Sequence, residues 1–165
     1  IYNDMNQIVL TIASFNGLAM ESMTRGHTWR FLDIGRRVER SINILTLLKN
    51  TIVRRQEHEG AVLQAVLEIA DSSMTYRYRY HNVLQLDAVL DLLLTDESNP
   101  RSLAWQMANL HDNVEALPRE RTAQRSPEQR LMVTLLSRLR VIQVAELAAK
   151  DEHGNHPQLL KLIDE

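Results

Sequence analysis

The sequence predicts an all-α fold: an antiparallel multi-helix bundle of about six to seven helices, forming a single domain over residues 1–165. Three observations carry this. Apolar residues recur with the 3.6-residue period of a helix, and no segment alternates as a half-buried strand does. Prolines mark helix starts, at Asn99-Pro100, Ser126-Pro127 and His156-Pro157. Short connections between long helices favour antiparallel neighbours.

Taken in order, the first helix falls near 3–24, on the spacing Ile8, Ile12, Phe15 and Ala19. The second, near 28–55, carries the stripe Phe31, Ile34, Val38, Ile42, Leu45 and Ile52, which is expected to face the core. The third runs near 60–82 on Leu63, Val66, Ala70 and Met74, and a fourth near 86–95. A fifth, near 100–116, presents Leu103, Met107, Leu110, Val114 and Leu117, with Asn99 as its expected N-cap. The sixth, near 127–150, starts from a Ser126/Gln129 capping box. It is apolar on most sides and is expected near the bundle centre. A short helix near 157–165 closes the chain, and residues 118–126 form the longest polar connection, expected to be flexible.

Composition excludes several classes of function. The chain has no cysteine, which removes disulfides, thiol nucleophiles and Cys-based metal centres. A net charge of −2 gives no global field for nucleic acid or anionic membrane. No apolar run approaches the ~20 residues of a membrane span, so no membrane partner is expected, and the lack of cysteine makes a reducing cytoplasm the expected address. Nucleotide-loop and hydrolase-elbow motifs are absent. No cofactor or metal site is expected: His153 and His156 stand three apart in a loop without a third ligand, and Glu57-His58-Glu59 reads as a wet helix break. The chain begins at Ile1 and soon enters a helical pattern, as expected for part of a longer polypeptide.

The chemistry-bearing residues concentrate on the second helix. Opposite its apolar stripe lie Trp29, Asp33, Arg36, Arg40 and Asn43, with Glu39 between the two faces. Asp33 stands three and four residues before Arg36 and Arg37, spacings that place side chains together. Gly35, beside the apolar stripe, suits close approach by a second helix or a ligand. Three readings stay open for this face: a solvated surface, a buried structural Arg/Glu network, and an anion-binding or catalytic site. On the third helix Arg77 follows an apolar stripe, so a carboxylate, Asp33 or Glu39, is expected to pair with it. Arg79 accompanies it within Tyr76–His81, and Arg101 falls at the start of the fifth helix, where anions are favoured. The excess of Arg (16) over Lys (3) suits bidentate grip of carboxylate or phosphate, although genome base composition gives the same skew.

Trp29-Arg30-Phe31, Gly35-Arg36, Glu39-Arg40, Tyr76 to Tyr80 and Asn99-Pro100-Arg101-Ser102 together make a pattern that resembles the bacterial alpha-E domain. This all-helical family of unknown function is named for its helices and its Glu-Arg motif, here Glu39-Arg40. The resemblance implies that the chain is the later half of a longer alpha-E protein. It implies no catalytic residue. It does imply a setting beside ATP-grasp-type ligases and transglutaminase-like proteins, and so a non-catalytic module in bacterial peptide synthesis or modification. The expected partners are such a protein, a peptide, or a second copy of the chain. The alternative is a ligase- or transferase-type enzyme, with Arg36, Arg40, Arg77 and Arg101 holding phosphate or carboxylate and Glu39 or Asp33 moving the proton.

Overall fold

A computed structural model describes residues 1–80, 83–118 and 124–165. Among these residues the chain is all helical: α1 (Tyr2–Ser22), α2 (His27–Thr51), α3 (Glu59–Ile69), α4 (Ser73–Tyr80), α5 (Leu86–Leu90), a π-type turn (Asp91–Thr95), α6 (Leu103–Glu115), α7 (Pro127–Val141), α8 (Val144–Ala148) and α9 (Pro157–Asp164). The expected flexible connection at 118–126 falls largely outside the described residues, as does His81.

The helix expected over 60–82 is two helices. Asp71, at φ 50°, ends α3 in the left-handed region. Ser72 N–H donates to Leu67 O (2.8 Å) and Asp71 N–H to Glu68 O (3.0 Å), the paired bonds of a Schellman stop. The corner breaks the stripe, so Leu63 and Val66 are buried while Met74 is exposed. A second break at Ile142–Gln143, extended in both residues, divides the helix expected over 127–150 into α7 and α8.

Nor does that helix occupy the bundle centre. Met132, Leu136 and Leu139 of α7 are buried, but Leu131 is exposed. The centre is Leu86–Leu94, where Val89, Leu90, Leu92, Leu93 and Leu94 lose all contact with solvent. A leucine buried so completely contributes ~1.5–3 kcal/mol. Around this segment pack Leu48 and Ile52 of α2, Leu63, Val66 and Leu67 of α3, Leu103, Met107 and Leu110 of α6, and Leu159 of α9.

Two of the expected caps form and one is replaced. Ser126 and Gln129 close a capping box at α7, and Pro157 follows the N-cap His156 at α9. The N-cap of α6 is Ser102 rather than Asn99: its hydroxyl accepts from Trp105 N–H (3.0 Å). Asn99 instead ties two segments together, donating to Leu92 O (2.9 Å) and accepting from Arg101 N–H (3.1 Å). The Asn99–Ser102 motif is therefore a turn that aims Arg101. His156, expected in a solvated loop, is buried, with its backbone N–H on Val53 O (2.9 Å).

The largest departure concerns α2. Its inner face is Asp33, Arg37, Ser41, Leu48 and Ile52, whereas Phe31, Val38 and Ile42 of the expected core stripe face outward. α1 projects from the bundle, with only Ala19 buried. Among the described residues no helix is long and apolar enough to cross a membrane.

Candidate functional site

The polar residues of α2 divide into a buried network and an open groove. In the network, Arg37 donates from Nη2 to Asp33 Oδ1 (2.9 Å) and from Nε to Asp33 Oδ2 (3.2 Å), a bidentate pair one turn apart. Asp33 is 2% exposed and Arg37 8%. α6 supplies the rest. Asn113 Nδ2 donates to Asp33 Oδ2 (2.8 Å), Arg37 Nη1 donates to Gln106 Oε1 (3.2 Å), and the Arg37 guanidinium lies 4.4 Å from the centre of the Trp105 ring. Gln106 in turn donates to Pro100 O (2.6 Å), which fixes the turn carrying Arg101. A buried ion pair persists when its remaining hydrogen-bonding capacity is met, and Gln106 and Asn113 meet it here.

Arg40 points elsewhere. It borders a groove of about 250 Å³ whose wall includes Asn43, Asp71, Pro100, Arg101 and Gln106. Arg101 forms an ion pair with Asp71, the residue at the α3 stop. Arg40 has no hydrogen bond or ion pair among the described residues. Its pKa is lowered, first by loss of solvent and then by Arg37, Arg101 and Arg36, against a smaller opposing pull from Asp33. Positive charge is thus concentrated here beyond what the local carboxylates neutralise. Farther up α2, Trp29 Nε1 and Arg36 Nη2 are buried donors without a partner. The Trp29 ring is covered by the Arg25 guanidinium at 4.4 Å. Unsatisfied buried donors cost ~1–3 kcal/mol each, a reason for such a face to accept an anion.

The predicted residues therefore separate. Asp33 joins the buried network, and Arg36, Arg40 and Arg101 share one positive field. Trp29 lies on the same side of α2. Glu39 is exposed and makes no ion pair among the described residues. Arg77 is exposed, and the expected pairing with Asp33 or Glu39 does not form, because Tyr76 takes the inward position of α4 and Arg37 occupies Asp33. Arg79 pairs with Asp96 and donates to Ser98 Oγ (2.7 Å), apart from the groove.

Gln106, Asn113, Trp105 and Asp71 join the site without standing out in the sequence pattern. One signal was present: Gln106 and Asn113 stand seven apart, on one face of a helix otherwise striped with leucine and methionine. Among the described residues no group of three His, Asp or Glu side chains is placed to hold a metal ion.

A family model described as Alpha-E, "a predicted alpha-helical domain with a conserved ER motif", matches residues 3–165. Uncharacterized proteins of Mycobacterium tuberculosis (strain ATCC 25618 / H37Rv) and Mycobacterium bovis are each 34% identical over 152 residues, covering 91% of this chain and 17% of their own length. The chain thus spans about a sixth of the curated relatives it matches. No solved structure matches it.

Proposed function

The chain belongs to the Alpha-E family, and we propose that it is a non-catalytic helical docking module acting with an ATP-grasp-type ligase or transglutaminase-like partner in bacterial peptide synthesis or modification. The observation that carries this reading is the position of Arg40. The arginine of the Glu39-Arg40 pair is not spent on an internal ion pair; it borders a groove shared with Arg101. A volume of about 250 Å³ lies below the ~300–1,000 Å³ of ordinary small-molecule sites. It suits one carboxylate or phosphate group with a short stem, such as an acidic side chain or chain end of a peptide or partner protein.

The enzymatic alternative is less well supported. Asp33, a proposed acid–base group, has both oxygens engaged by Arg37 and Asn113. Glu39 is exposed and does not line the groove. General acid–base work needs a group within hydrogen-bond reach of the reacting atom, and among the described residues no Asp, Glu or His besides Asp71 borders the groove.

The test is calorimetric titration of the chain with an ATP-grasp-type protein encoded beside it. Micromolar binding is expected, weakened about tenfold by Arg40→Gln or Arg101→Gln, the ~1.4 kcal/mol of one charged contact. Absence of heat at hundred-micromolar concentrations, or binding indifferent to both substitutions, would contradict the reading.

A further inference from the structure

At the C-terminal end of α2 lies a cavity that shares no lining residue with the Arg40 groove. Its volume is about 730 Å³, within the ~300–1,000 Å³ of ordinary small-molecule sites. Asp151, Asn155 and His156 form one side of it, on a loop locked by its own hydrogen bonds. Asp151 N–H donates to Asn155 O (2.9 Å), Arg55 N–H to Asn155 Oδ1 (3.1 Å) and His156 N–H to Val53 O (2.9 Å). Gly154, at φ 81°, lets the loop lie against the Arg55 stem, which a Cβ would meet at 3.1 Å. A wall fixed in this way loses little entropy when a ligand binds.

His156 is the residue of that wall whose hydrogen-bonding capacity the fold leaves unmet. It is 3% exposed, and its Nδ1 is buried with no hydrogen bond among the described residues. Its Nε2 also makes none among them, but it is not closed off from solvent. The openings that the ring borders are this cavity and a smaller one of about 120 Å³, which shares Arg54 and His156 with it. A buried donor without an acceptor is costly. A proton on Nε2 rather than on Nδ1 avoids that cost and gives the openings an N–H.

The acidic groups of the wall are already committed. Asp164 pairs with Lys49 across the α2–α9 contact. Asp151 accepts from the N–H groups of Asn155 (2.8 Å) and His153 (2.9 Å), and these bonds, Asn155 first, hold its carboxyl below the usual carboxylate range. The Arg54 side chain has no ion pair or hydrogen bond among the described residues, and it lines the cavity beside Val53, Pro157 and Leu160. What remains is one uncommitted cation, one donor and an apolar side. The guanidinium fork matches the two oxygens of a carboxylate. A single cation balances its one negative charge, whereas a phosphate ester carries nearly two at neutral pH.

We propose that this cavity binds a small organic monocarboxylate. Its carboxylate lies on Arg54 and the His156 Nε2–H, and its apolar body on Val53, Pro157 and Leu160. The site is separate from the Arg40 groove and does not depend on the docking function.

The test is an NMR titration of the 165-residue chain with benzoate, followed at the Arg54 Nε–H and the His156 ring. Saturable shifts at both are expected. Arg54→Gln should weaken binding about tenfold, the ~1.4 kcal/mol of one charged contact, while Arg40→Gln should leave it unchanged. Arg54 is exposed, so its substitution is expected to preserve the parent's amide spectrum. Inorganic phosphate, doubly charged and without an apolar body, should not saturate the Arg54 signal. Benzoate shifts that never saturate, or an affinity unaltered by Arg54→Gln, would overturn the site. Saturation of Arg54 by inorganic phosphate, or phenyl phosphate binding more tightly than benzoate, would overturn the choice of a carboxylate.

Discussion

Arg37 holds both carboxylate oxygens of Asp33, at 3.2 and 2.9 Å, from one turn farther along the same helix. This pair divides the arginines of α2 by role. Arg37 is consumed inside the α2–α6 contact, and Arg40, less than one turn on, remains free at the groove.

Truncating one member of the pair should be costly. Arg37→Met leaves Asp33 buried without its cation, a loss of ~3–5 kcal/mol and a fall in melting temperature of roughly 10 °C or more. The double variant Asp33→Leu/Arg37→Met should recover much of that loss, because an apolar pair need not be desolvated. Thermal melts of the three proteins check this.

Ser102→Ala should destabilise the chain by ~1–2 kcal/mol, the upper range for an N-cap. The buried hydroxyl serves Trp105 N–H and donates to Asp96 O. Urea titration reads the change directly, and the same change should loosen Arg101 and weaken anion binding.

Asp71→Asn keeps a residue that tolerates the left-handed conformation and removes the charge that competes for Arg101. An exposed ion pair is worth ~0–1 kcal/mol, so stability should barely move. Affinity for inorganic phosphate should rise about two- to fivefold, measured by calorimetry.

Tyr80 sets an alkaline limit. Burial and its hydrogen bond to Asp91 raise its pKa above the ordinary phenol value. A pKa raised in the fold contributes stability that is complete below the unfolded value of about 10 and is lost as pH rises beyond it. Melting temperature should fall more steeply above about pH 10 in the parent than in Tyr80→Phe.

The helical class was legible because period and caps agree along the chain: Ser126 with Gln129 and Pro157 each sit where the structure starts a helix. The Asp33–Arg37 contact was legible too, being local. The orientation of α2 was not. Its apolar stripe points toward Phe31 and Val38, but the bundle buries Asp33 and Arg37, whose partners Gln106 and Asn113 lie 69 and 80 residues away. Periodicity scores a buried charge as surface when its partners are distant. The break at Asp71 was hidden for a different reason, since the stop uses aspartate where glycine is usual. Arg40 and Arg101 stand out in the sequence, but their shared groove depends on that same corner.

The most direct measurement of the central claim is the arginine side-chain Nε–H spectrum of the chain during titration with inorganic phosphate. The account predicts saturable shifts at Arg40 and Arg101, none at the locked Arg37, and loss of both shifts in Arg40→Gln. Uniform, unsaturated drift of all arginines, or saturation that survives Arg40→Gln, would contradict it.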